Sequence, residues 1–544
     1  MNKVAQYLQD HIIGEVLTSS DVRKYFSTDA SIFTMTPSVV AYPKNENDVR
    51  KIARFTWQLA ERGRVIPITA RGKGTDKSGA AIGSGIILAF AAHMNKIVEL
   101  DSKSGTVVVE PGIIYGRLQQ TLFTHGWFIP AYPTSLDYST IGGAIANNAS
   151  GEKSVKYGDT KKYVKELRVV LANGEIIETK RLSKRELNKK MGLSSFEGEI
   201  YRNLDKLIED NKQLISQISL GVSKNTAGYD IAEVKQKNSF DLTPLIVGSQ
   251  GTLGIVTEGT FSSAPHNPHT TLIAAYISDI DALKNIVTDL LKLADKPSMV
   301  EAVDHNYLEF VEQNYPNQLK GAANSPFPKL ALLIELDTAN DRTRKKNSKK
   351  VLKILNKYGA DYQLETNPDE KEKLLKLKSS TASVLTHNNE NKKALPIIDD
   401  ACVPINRITD YLNKIYDLFG SHKLKVTVWG RAAEGNFHVQ PLLDLSQIGD
   451  RQKIFKIMDE YYNLIIDLGG STSGELNDGR LRAPYLKKMF SQQIYELFEK
   501  IKTIFDPYGT LNPGVKIWVS TDDIKPLVRE EYSLKSIYDH LPRS

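Results

Sequence analysis

The chain has 544 residues, too many for a single hydrophobic core, so we expect two or three domains. Its 41% hydrophobic and 25% charged residues are typical of a soluble globular protein, and its net charge of +7 is modest. We find no zinc-finger spacing and no RNP-like aromatic motif, which argues against a nucleic-acid partner. The one cysteine, Cys402, excludes an internal disulfide and a cysteine-ligated iron–sulfur cluster within the chain.

The N-terminal sequence MNKVAQYLQDHIIGEV lacks the long apolar region and the cleavage site of a secretory signal. The longest apolar run, residues 85–92, is too short to span a bilayer. We therefore expect a cytoplasmic protein. A basic run at 341–350 predicts a solvated helix face, and the alternative is contact with an anionic membrane surface or an acidic partner. Peripheral membrane contact is thus left open.

Hydrophobic periodicity predicts an α+β fold in the N-terminal half of the chain. A polar, helical arm covers residues 1–34, and a strand at 37–43 leads into a helix. Two hairpins follow at 97–110 and 167–179, the second with an Asn-Gly turn. No internal repeat is present.

A connector rich in Ser, Pro, His and Asn at 262–270 marks a domain boundary. Beyond it, strands at 272–277 and 330–336 alternate with helices at 281–293 and 342–358, which indicates an antiparallel sheet covered by helices. We predict an N-terminal arm, two domains and a C-terminal tail, with bounds 1–34, 35–265, 266–520 and 521–544.

Three segments rich in small residues stand beside strand-like runs. They read RGKGTDKSG at 71–79, AYPTSLDYSTIGGAIANNASGEKSVKYG at 131–158 and VGSQGTLGIVTE at 247–258. Bare backbone lets a ligand approach closely, and its N–H groups can cradle anionic oxygens. Each segment alone could be a tight turn, but together they favour a nucleotide cofactor. None is a P-loop or the GxGxxG turn of a dinucleotide-binding βαβ unit.

In this order and spacing the segments resemble the FAD-binding domain of the vanillyl-alcohol oxidase type, the PCMH fold. Three C-terminal motifs, GNFH at 435–438, SGE at 473–475 and LNPGVK at 511–516, resemble the D-lactate dehydrogenase and glycolate oxidase subunit branch of FAD-linked 2-hydroxyacid dehydrogenases. The resemblance covers residues 35–517. It implies a PCMH-type FAD-binding domain, an antiparallel-sheet substrate cap domain and a C-terminal segment that returns to the FAD domain.

The resemblance also implies which residues bind FAD. They lie in the small-residue segments and the C-terminal motif: Arg71, Gly72, Gly74, Thr75, Pro133, Thr134, Thr140, Ile141, Gly142, Gly143, Asn147, Asn148, Ser150, Gly151, Tyr157, Gly158, Gly251, Gly254, Ile255, Val256 and Asn512. Some family members attach FAD covalently through a histidine in the first segment. Here Lys73 occupies that neighbourhood and 71–79 contains no histidine, so we expect non-covalent FAD.

His438 and Glu475 are the first candidates for the chemistry. A lone histidine is usually structural, but GNFH is similar to the family's GNLH, whose histidine lies near the flavin. Glu475 falls where the family reads SGEHG, and its alternative role is a turn at a helix start.

Two departures from the family concern its metal and its base. The family's first metal-binding histidine is Arg431 here, and the histidine often assigned as general base is Leu476, which cannot accept a proton. We therefore expect no metal site. Arg431 could hold a substrate carboxylate bidentately or pair with Glu475 as a structural ion pair. Both remain open.

A third departure concerns the family's tryptophan and substrate-binding arginine. That stretch reads LKLK here and ends at Lys378, which keeps the charge but loses the bidentate fork. For 371–378 we predict a solvated helix face.

The leading hypothesis is an FAD-dependent oxidoreductase that oxidises a small 2-hydroxyacid, such as D-lactate or glycolate. Its electron acceptor would be a quinone, a cytochrome or a separate iron–sulfur partner. One alternative is oxidation of a sugar or alditol by the same fold. Another, favoured by Leu476 and Arg431, is a non-catalytic FAD-binding subunit.

Overall fold

The computed structural model describes residues 3–323, 325–386 and 392–538. In the N-terminal half, the first sheet has four strands, in the order Glu15–Leu17, Val39–Tyr42, Ile86–Ala89 and Ile68–Arg71. The last three run parallel, and Glu15–Leu17 pairs antiparallel with Val39–Tyr42. Since Glu15–Leu17 belongs to the predicted helical arm, part of that arm is a strand of this sheet.

The second sheet of the N-terminal half is antiparallel and has five strands. Their order is Ile97–Asp101, Thr106–Val109, Ile255–Ser262, Val164–Val170 and Ile176–Thr179. The outer pairs are the two predicted hairpins, which are confirmed. Along Ile255–Ser262 buried and half-buried residues alternate strictly, so one face of the sheet lies in the core.

Helices cover these two sheets. Their bounds are Lys3–His11, Ser20–Tyr25, Glu46–Ala60, Tyr115–Thr124, Ile141–Asn147, Ser154–Tyr157, Lys184–Met191, Phe196–Asp210, Lys212–Ser216 and Thr243–Ile246. The helix of the TIGG motif begins after Thr140, whose hydroxyl accepts a hydrogen bond from the Gly143 N–H at 3.2 Å. This cap satisfies one of the otherwise unpaired N–H groups at the helix start.

The second half contains an eight-stranded sheet in which every pairing is antiparallel. The strands are Asp361–Glu365, Thr271–Ile277, Leu330–Leu336, Met299–Asp304, Val426–Arg431, Asn436–Leu443, Lys393–Ala394 and Ala401–Cys402. The main helices of this half are Asp281–Leu291, His305–Asn314, Asp341–Lys357, Pro368–Ser379, Ile408–Ser421 and Ile448–Asp467. The predicted helix-covered antiparallel sheet is therefore confirmed, and we call this half the cap. Within the described ranges we find no helix with the length and apolarity that crossing a membrane requires.

The C-terminal segment returns to the N-terminal half, as predicted. The helix Gln492–Phe505 buries its apolar face in the core around the five-stranded sheet. Leu511 then forms a parallel bridge with Ile68 at the edge of the first sheet. Farther on, Val528 bridges Phe33 of the arm, so the described part of the predicted tail packs against the start of the chain. Residues 539–544 of that tail lie outside the described residues.

Candidate functional site

A cavity of about 860 Å³ is lined by residues of both the N-terminal half and the cap. Cavities that bind cofactors and small molecules commonly measure about 300–1,000 Å³. All three small-residue segments reach its wall, and the cap contributes Trp429, His438 and Glu475. This cavity is the candidate active site.

Most residues predicted to bind FAD lie in the cavity wall. They are Arg71, Gly72, Gly74, Thr75, Pro133, Thr134, Thr140, Gly142, Gly143, Asn147, Ser150, Gly251, Gly254 and Val256. Direct contact of each with the cofactor stays a prediction.

The glycines in this wall fit a closely approaching ligand. A Cβ atom built on Gly143 would meet only the Thr140 hydroxyl, at 3.5 Å, and one on Gly251 would meet only Ala70, at 3.9 Å. Side chains at these positions would therefore enter the cavity. By contrast, a Cβ on Gly142 would lie 2.7 Å from Pro111, so this glycine is required by packing behind the wall.

Arg71 supplies positive charge to the same wall. Its side chain is 2% exposed, and its Nη1 donates to the carbonyl of Ala81 at 3.1 Å. Among the described residues its Nε–H has no hydrogen-bond partner. A buried donor left unpaired costs stability unless a ligand satisfies it, so the site suits an anionic group such as a pyrophosphate.

Four of the predicted FAD residues lie behind the cavity wall. Ile141 and Ile255 are core residues, 0% and 1% exposed. Asn148 donates from Nδ2 to Asp159 at 3.1 Å and so fixes a turn. A Cβ on Gly151 would lie 1.9 Å from the carbonyl oxygen of Tyr132, which explains the glycine by close packing.

The remaining three also shape the site from outside the cavity wall. Tyr157 donates its hydroxyl to Asp337 of the cap at 2.6 Å, and Gly158 follows it with φ of 87°. Asn512 donates from Nδ2 to the carbonyls of Ala80 and Gln250, at 2.9 and 2.8 Å. The C-terminal LNPG motif thus links the third small-residue segment to Ala80, which directly follows the first.

At the cap end of the cavity, His438 is held between two carboxylates. Its Nδ1 lies 2.6 Å from Oδ1 of Asp399, and its Nε2 lies 3.3 Å from Oε1 of Glu475. Asp399 also pairs with Lys77 of the first small-residue segment, at 2.9 Å. Trp429 flanks the imidazole, with ring centroids 6.1 Å apart.

This arrangement favours an imidazolium. Burial alone would lower the pKa of His438, but Asp399 and Glu475 outweigh burial and raise the pKa to about 9. For Glu475, burial is opposed by Arg431 and His438, which lower its pKa to about 2. At neutral pH the site therefore holds a histidine cation between two carboxylate anions.

Arg431 lies outside the cavity wall, behind Glu475. Its Nη2 is 2.7 Å from Oε2 of Glu475, and its Nε is 3.0 Å from Oε2 of Glu434. The side chain is almost completely buried. Of the two roles left open by the sequence, this geometry supports the structural ion pair with Glu475.

The predicted solvated helix face at 371–378 is wrong for its last residue. Lys378, near the C-terminal end of the helix Pro368–Ser379, points into the cavity wall and forms an ion pair with Glu152 of the N-terminal half. Its side chain is 18% exposed. A helix that is polar on most faces gives no local signal that Lys378 is covered, because the covering residue, Glu152, belongs to the other domain.

Sequence reasoning also missed several lining residues, among them Lys77, Tyr132, Glu152 and Trp429. Lys77 lay inside the first small-residue segment and Tyr132 and Glu152 inside the second, so their position next to the predicted FAD residues was a usable signal. Trp429 precedes the GNFH motif on the neighbouring strand and pairs with His438 in register. That pairing is visible only once the two strands are recognised as a hairpin.

Within the described part of the chain, no group of three or more His, Cys, Asp or Glu side chains is arranged to hold a metal ion. Near Glu475, where the resemblance would place a metal, the Arg431 guanidinium lies between two glutamates. A cation already neutralises these carboxylates.

Comparison with known proteins agrees with this geometry. Residues 37–180 match an FAD binding domain, and residues 266–515 match the C-terminal domain of FAD linked oxidases. The glycolate oxidase subunit GlcD of Bacillus subtilis is 31% identical over 499 residues, covering 90% of this chain and 92% of that protein. The D-2-hydroxyglutarate dehydrogenase of Haemophilus influenzae is 28% identical over 94% of this chain, which spans only about half (51%) of that protein's length.

The structure of p-cresol methylhydroxylase superposes with a TM-score of 0.68 and 15% identity, covering 96% of this chain and 97% of that one. At this identity the likeness shows the fold, and it confirms the predicted PCMH-type α+β architecture. With both FAD-linked oxidase domains matched in order and GlcD similar along nearly its whole length, the chain belongs to the FAD-linked oxidases, and its cofactor is FAD.

Proposed function

We propose that this protein is an FAD-dependent oxidoreductase that oxidises a small 2-hydroxyacid. The observation that carries the proposal is the position of His438 in the cap wall of the FAD cavity, 2.6 Å from Asp399 and 3.3 Å from Glu475, where these carboxylates favour its cationic form. The relatives are named for glycolate and D-2-hydroxyglutarate, which are both 2-hydroxyacids. D-Lactate and glycolate, the smallest members of this class, are the first substrates to test.

When bound, FAD supplies an acceptor for the hydride that leaves the substrate's α-carbon. The protein's part is to hold the substrate carboxylate in a fixed place beside it. The imidazolium of His438 can donate to that carboxylate from Nε2, whose contact with Glu475 is long at 3.3 Å. The shorter contact between Nδ1 and Asp399 fixes the orientation of the imidazole ring while Nε2 binds the substrate. Asp399 and Glu475 are therefore positioning residues for His438.

The proposal includes non-covalent attachment of FAD. No histidine occurs in 71–79, where some family members form the covalent bond, and Lys73 lies in the wall instead. Acid precipitation of the purified protein should release FAD into the supernatant, and a yellow pellet with a colourless supernatant would contradict this part.

We propose that a quinone, a cytochrome or a separate iron–sulfur protein accepts the electrons and reoxidises the flavin. We also propose that the protein is cytoplasmic. Contact with a membrane surface remains open. The lysine-rich helix Asp341–Lys357 does present a solvent-exposed basic face, but such faces are also common on proteins that bind no membrane.

The test is anaerobic reduction of the bound flavin by a panel of compounds. D-Lactate, glycolate and D-2-hydroxyglutarate represent the proposed substrates, and sorbitol and xylitol represent the alditol alternative. Bleaching of the flavin absorbance by at least one hydroxyacid, and by neither alditol, supports the proposal. Bleaching by alditols alone would replace it with the alditol function.

The non-catalytic alternative rests on Leu476, which lies in the cavity wall where the family has its base, and on Arg431, which stands where the family has a metal-binding histidine. It predicts that no compound in the panel bleaches the flavin, although the protein retains FAD. The two functions are thus separated by the same experiment.

A further inference from the structure

The proposed function needs a group that takes the proton of the substrate hydroxyl. His438 is unsuited to that role, because both of its ring nitrogens face carboxylates and the ring is already protonated at neutral pH. Leu476 has no group that could accept a proton. A proton acceptor must therefore come from elsewhere in the cavity wall.

Among the described residues of the wall, the ionisable pair of Lys378 and Glu152 has no role in the function proposed above. Lys378 of the cap forms an ion pair with Oε2 of Glu152 in the N-terminal half. The hydroxyl of Tyr132 donates to the other oxygen, Oε1, at 2.7 Å. All three side chains line the cavity that also contains His438 and Glu475. The pair thus joins the two domains at the substrate end of the site.

We propose that Lys378 is the catalytic residue that takes the hydroxyl proton of the substrate and that it relays a proton to Glu152. This inference rests on the proposed function. Tyr132 is a positioning residue, since its hydrogen bond fixes the Glu152 carboxylate against the lysine.

The step balances without another reactant. The substrate O–H bond breaks and a new N–H bond forms at Nζ of Lys378, while an existing N–H bond of Lys378 breaks and an O–H bond forms at Oε2 of Glu152. The electron pair left on the substrate oxygen becomes the second bond of the carbonyl group as the α-hydrogen departs with its own pair to the cofactor. The 2-oxoacid product forms, and the proton remains on Glu152.

The electrostatic surroundings suit a lysine that gives up and regains a proton. Burial and, after it, the positive charge of Arg431 lower the pKa of Lys378 to about 7, while Glu475 acts in the opposite direction. Oε2 of Glu152 contacts Nζ of Lys378, so a proton can pass within the pair and leave the free amine that the step requires.

A different role for Lys378 must be separated from this one. A lysine in a cavity wall could simply hold the substrate carboxylate by its charge. Arginine would keep that charge and improve the grip, but it does not lose its proton in proteins. The variant Lys378→Arg therefore preserves a clamp and abolishes a relay.

The experiment measures anaerobic flavin reduction in the FAD-loaded full chain with whichever of D-lactate, glycolate and D-2-hydroxyglutarate reduces the wild type fastest. We expect Lys378→Arg and Glu152→Gln to slow reduction at saturating substrate by about 10²- to 10⁴-fold, the usual contribution of a general base. The substrate concentration that gives half the maximal rate of reduction should stay within about threefold of the wild-type value. The control Lys373→Met removes an exposed lysine of the same helix and should leave the rate unchanged.

The pH profile gives a further distinction. In the wild type the rate of flavin reduction should increase as the pH rises through about 7. This increase should be absent in Lys378→Arg and Glu152→Gln. A Lys378→Arg enzyme that reduces flavin at the wild-type rate would overturn the relay and leave the proposed function standing. A wild type that none of the three acids reduces would overturn the proposed function itself.

A readout independent of activity is competitive acetylation of the holoprotein with trace acetic anhydride, followed by peptide mass spectrometry. Only a neutral amine reacts, so the yield at Lys378 follows its titration. A midpoint near 7, well below that of Lys373 in the same sample, supports the relay. A Lys378 midpoint that is not below that of Lys373 overturns it whatever the activity of the enzyme.

Discussion

At Gly143 the cavity wall is bare backbone, with room for a side chain only on the cavity side. We expect Gly143→Val to abolish FAD binding, because the two methyl groups would occupy space that the cofactor needs. The measurement is flavin content after purification, together with a titration of the apoprotein with FAD. Gly420→Val is the control, since a Cβ there meets nothing within 4 Å and the residue does not line the cavity. FAD affinity equal to wild type in Gly143→Val would place the cofactor elsewhere.

His438 should make stability depend on pH. Its folded-state pKa of about 9 lies above the ordinary histidine pKa of 6.5, so its contribution to stability is full below pH 6.5 and disappears as the pH rises through 9. The wild type should therefore exceed His438→Gln in free energy of unfolding at pH 6, and the gap should narrow steadily up to pH 9.5. Urea unfolding at a series of pH values measures it. A gap that is constant or widens over this range would contradict the imidazolium assignment.

The residues of the site differ in how far the sequence could predict them. The glycines and His438 were found because their signals are local, namely small-residue runs and the GNFH motif. Lys378 was not, since KEKLLKLK has the charge density of a solvated helix and the burial of Lys378 is decided by docking of Glu152 from another domain. For Arg431 the sequence leaves two roles open, and its contacts with Glu475 and Glu434 behind the cavity wall favour the structural ion pair.

Among the elements, the short helix Ser154–Tyr157 and the residues before it connect the two halves of the molecule. Ser154 donates to Glu434 at 2.6 Å, and Lys156 and Tyr157 both contact Asp337, at 2.7 and 2.6 Å. Ser150, Gly151, Tyr157 and Gly158 are expected to bind FAD, which stays a prediction, and the helix Ser154–Tyr157 also contacts Glu434 and Asp337 of the cap. Contacts between domains carry no periodic signal, so the stretch was assigned from its resemblance to the family alone.

Removing Asp337 should therefore weaken the attachment of the cap. In Asp337→Ala the Lys156 ammonium and the Tyr157 hydroxyl lose a buried acceptor, and we expect a loss of about 1–3 kcal/mol in the free energy of unfolding. Urea unfolding measures the change. Asp522→Ala is a control at an exposed ion pair with Lys525, where the loss should stay below about 0.5 kcal/mol. Equal effects of the two substitutions would show that the Asp337 contacts contribute little.

Across the whole molecule, the sequence predicts the order of strands and helices along the chain better than it predicts which distant elements pair with each other. The hairpins and the helix-covered cap sheet were predicted from alternation and spacing. The strand Glu15–Leu17 was missed, because three residues are too few to show a period of two and it is the distant partner Val39–Tyr42 that makes it a strand.

The molecule as a whole should work without a metal ion. The Arg431 guanidinium lies between Glu434 and Glu475 and would repel a dication at that position. Dialysis against EDTA should leave the rate of flavin reduction unchanged, and elemental analysis should find less than about 0.1 equivalent of zinc or manganese bound. Stoichiometric metal whose removal abolishes activity would reveal ligands that the described residues do not show.

We propose that the His438 cation in the cap wall selects substrates with a carboxylate next to the hydroxyl that is oxidised. The most direct measurement compares anaerobic flavin reduction by a 2-hydroxyacid with reduction by its methyl ester, which keeps the hydroxyl and removes the negative charge. We predict reduction by the acid and a rate at least on the order of 10²-fold lower with the ester, because the ester has no carboxylate to accept a charge-assisted hydrogen bond from Nε2 of His438. Equal rates with acid and ester, or no reduction by either, would contradict it.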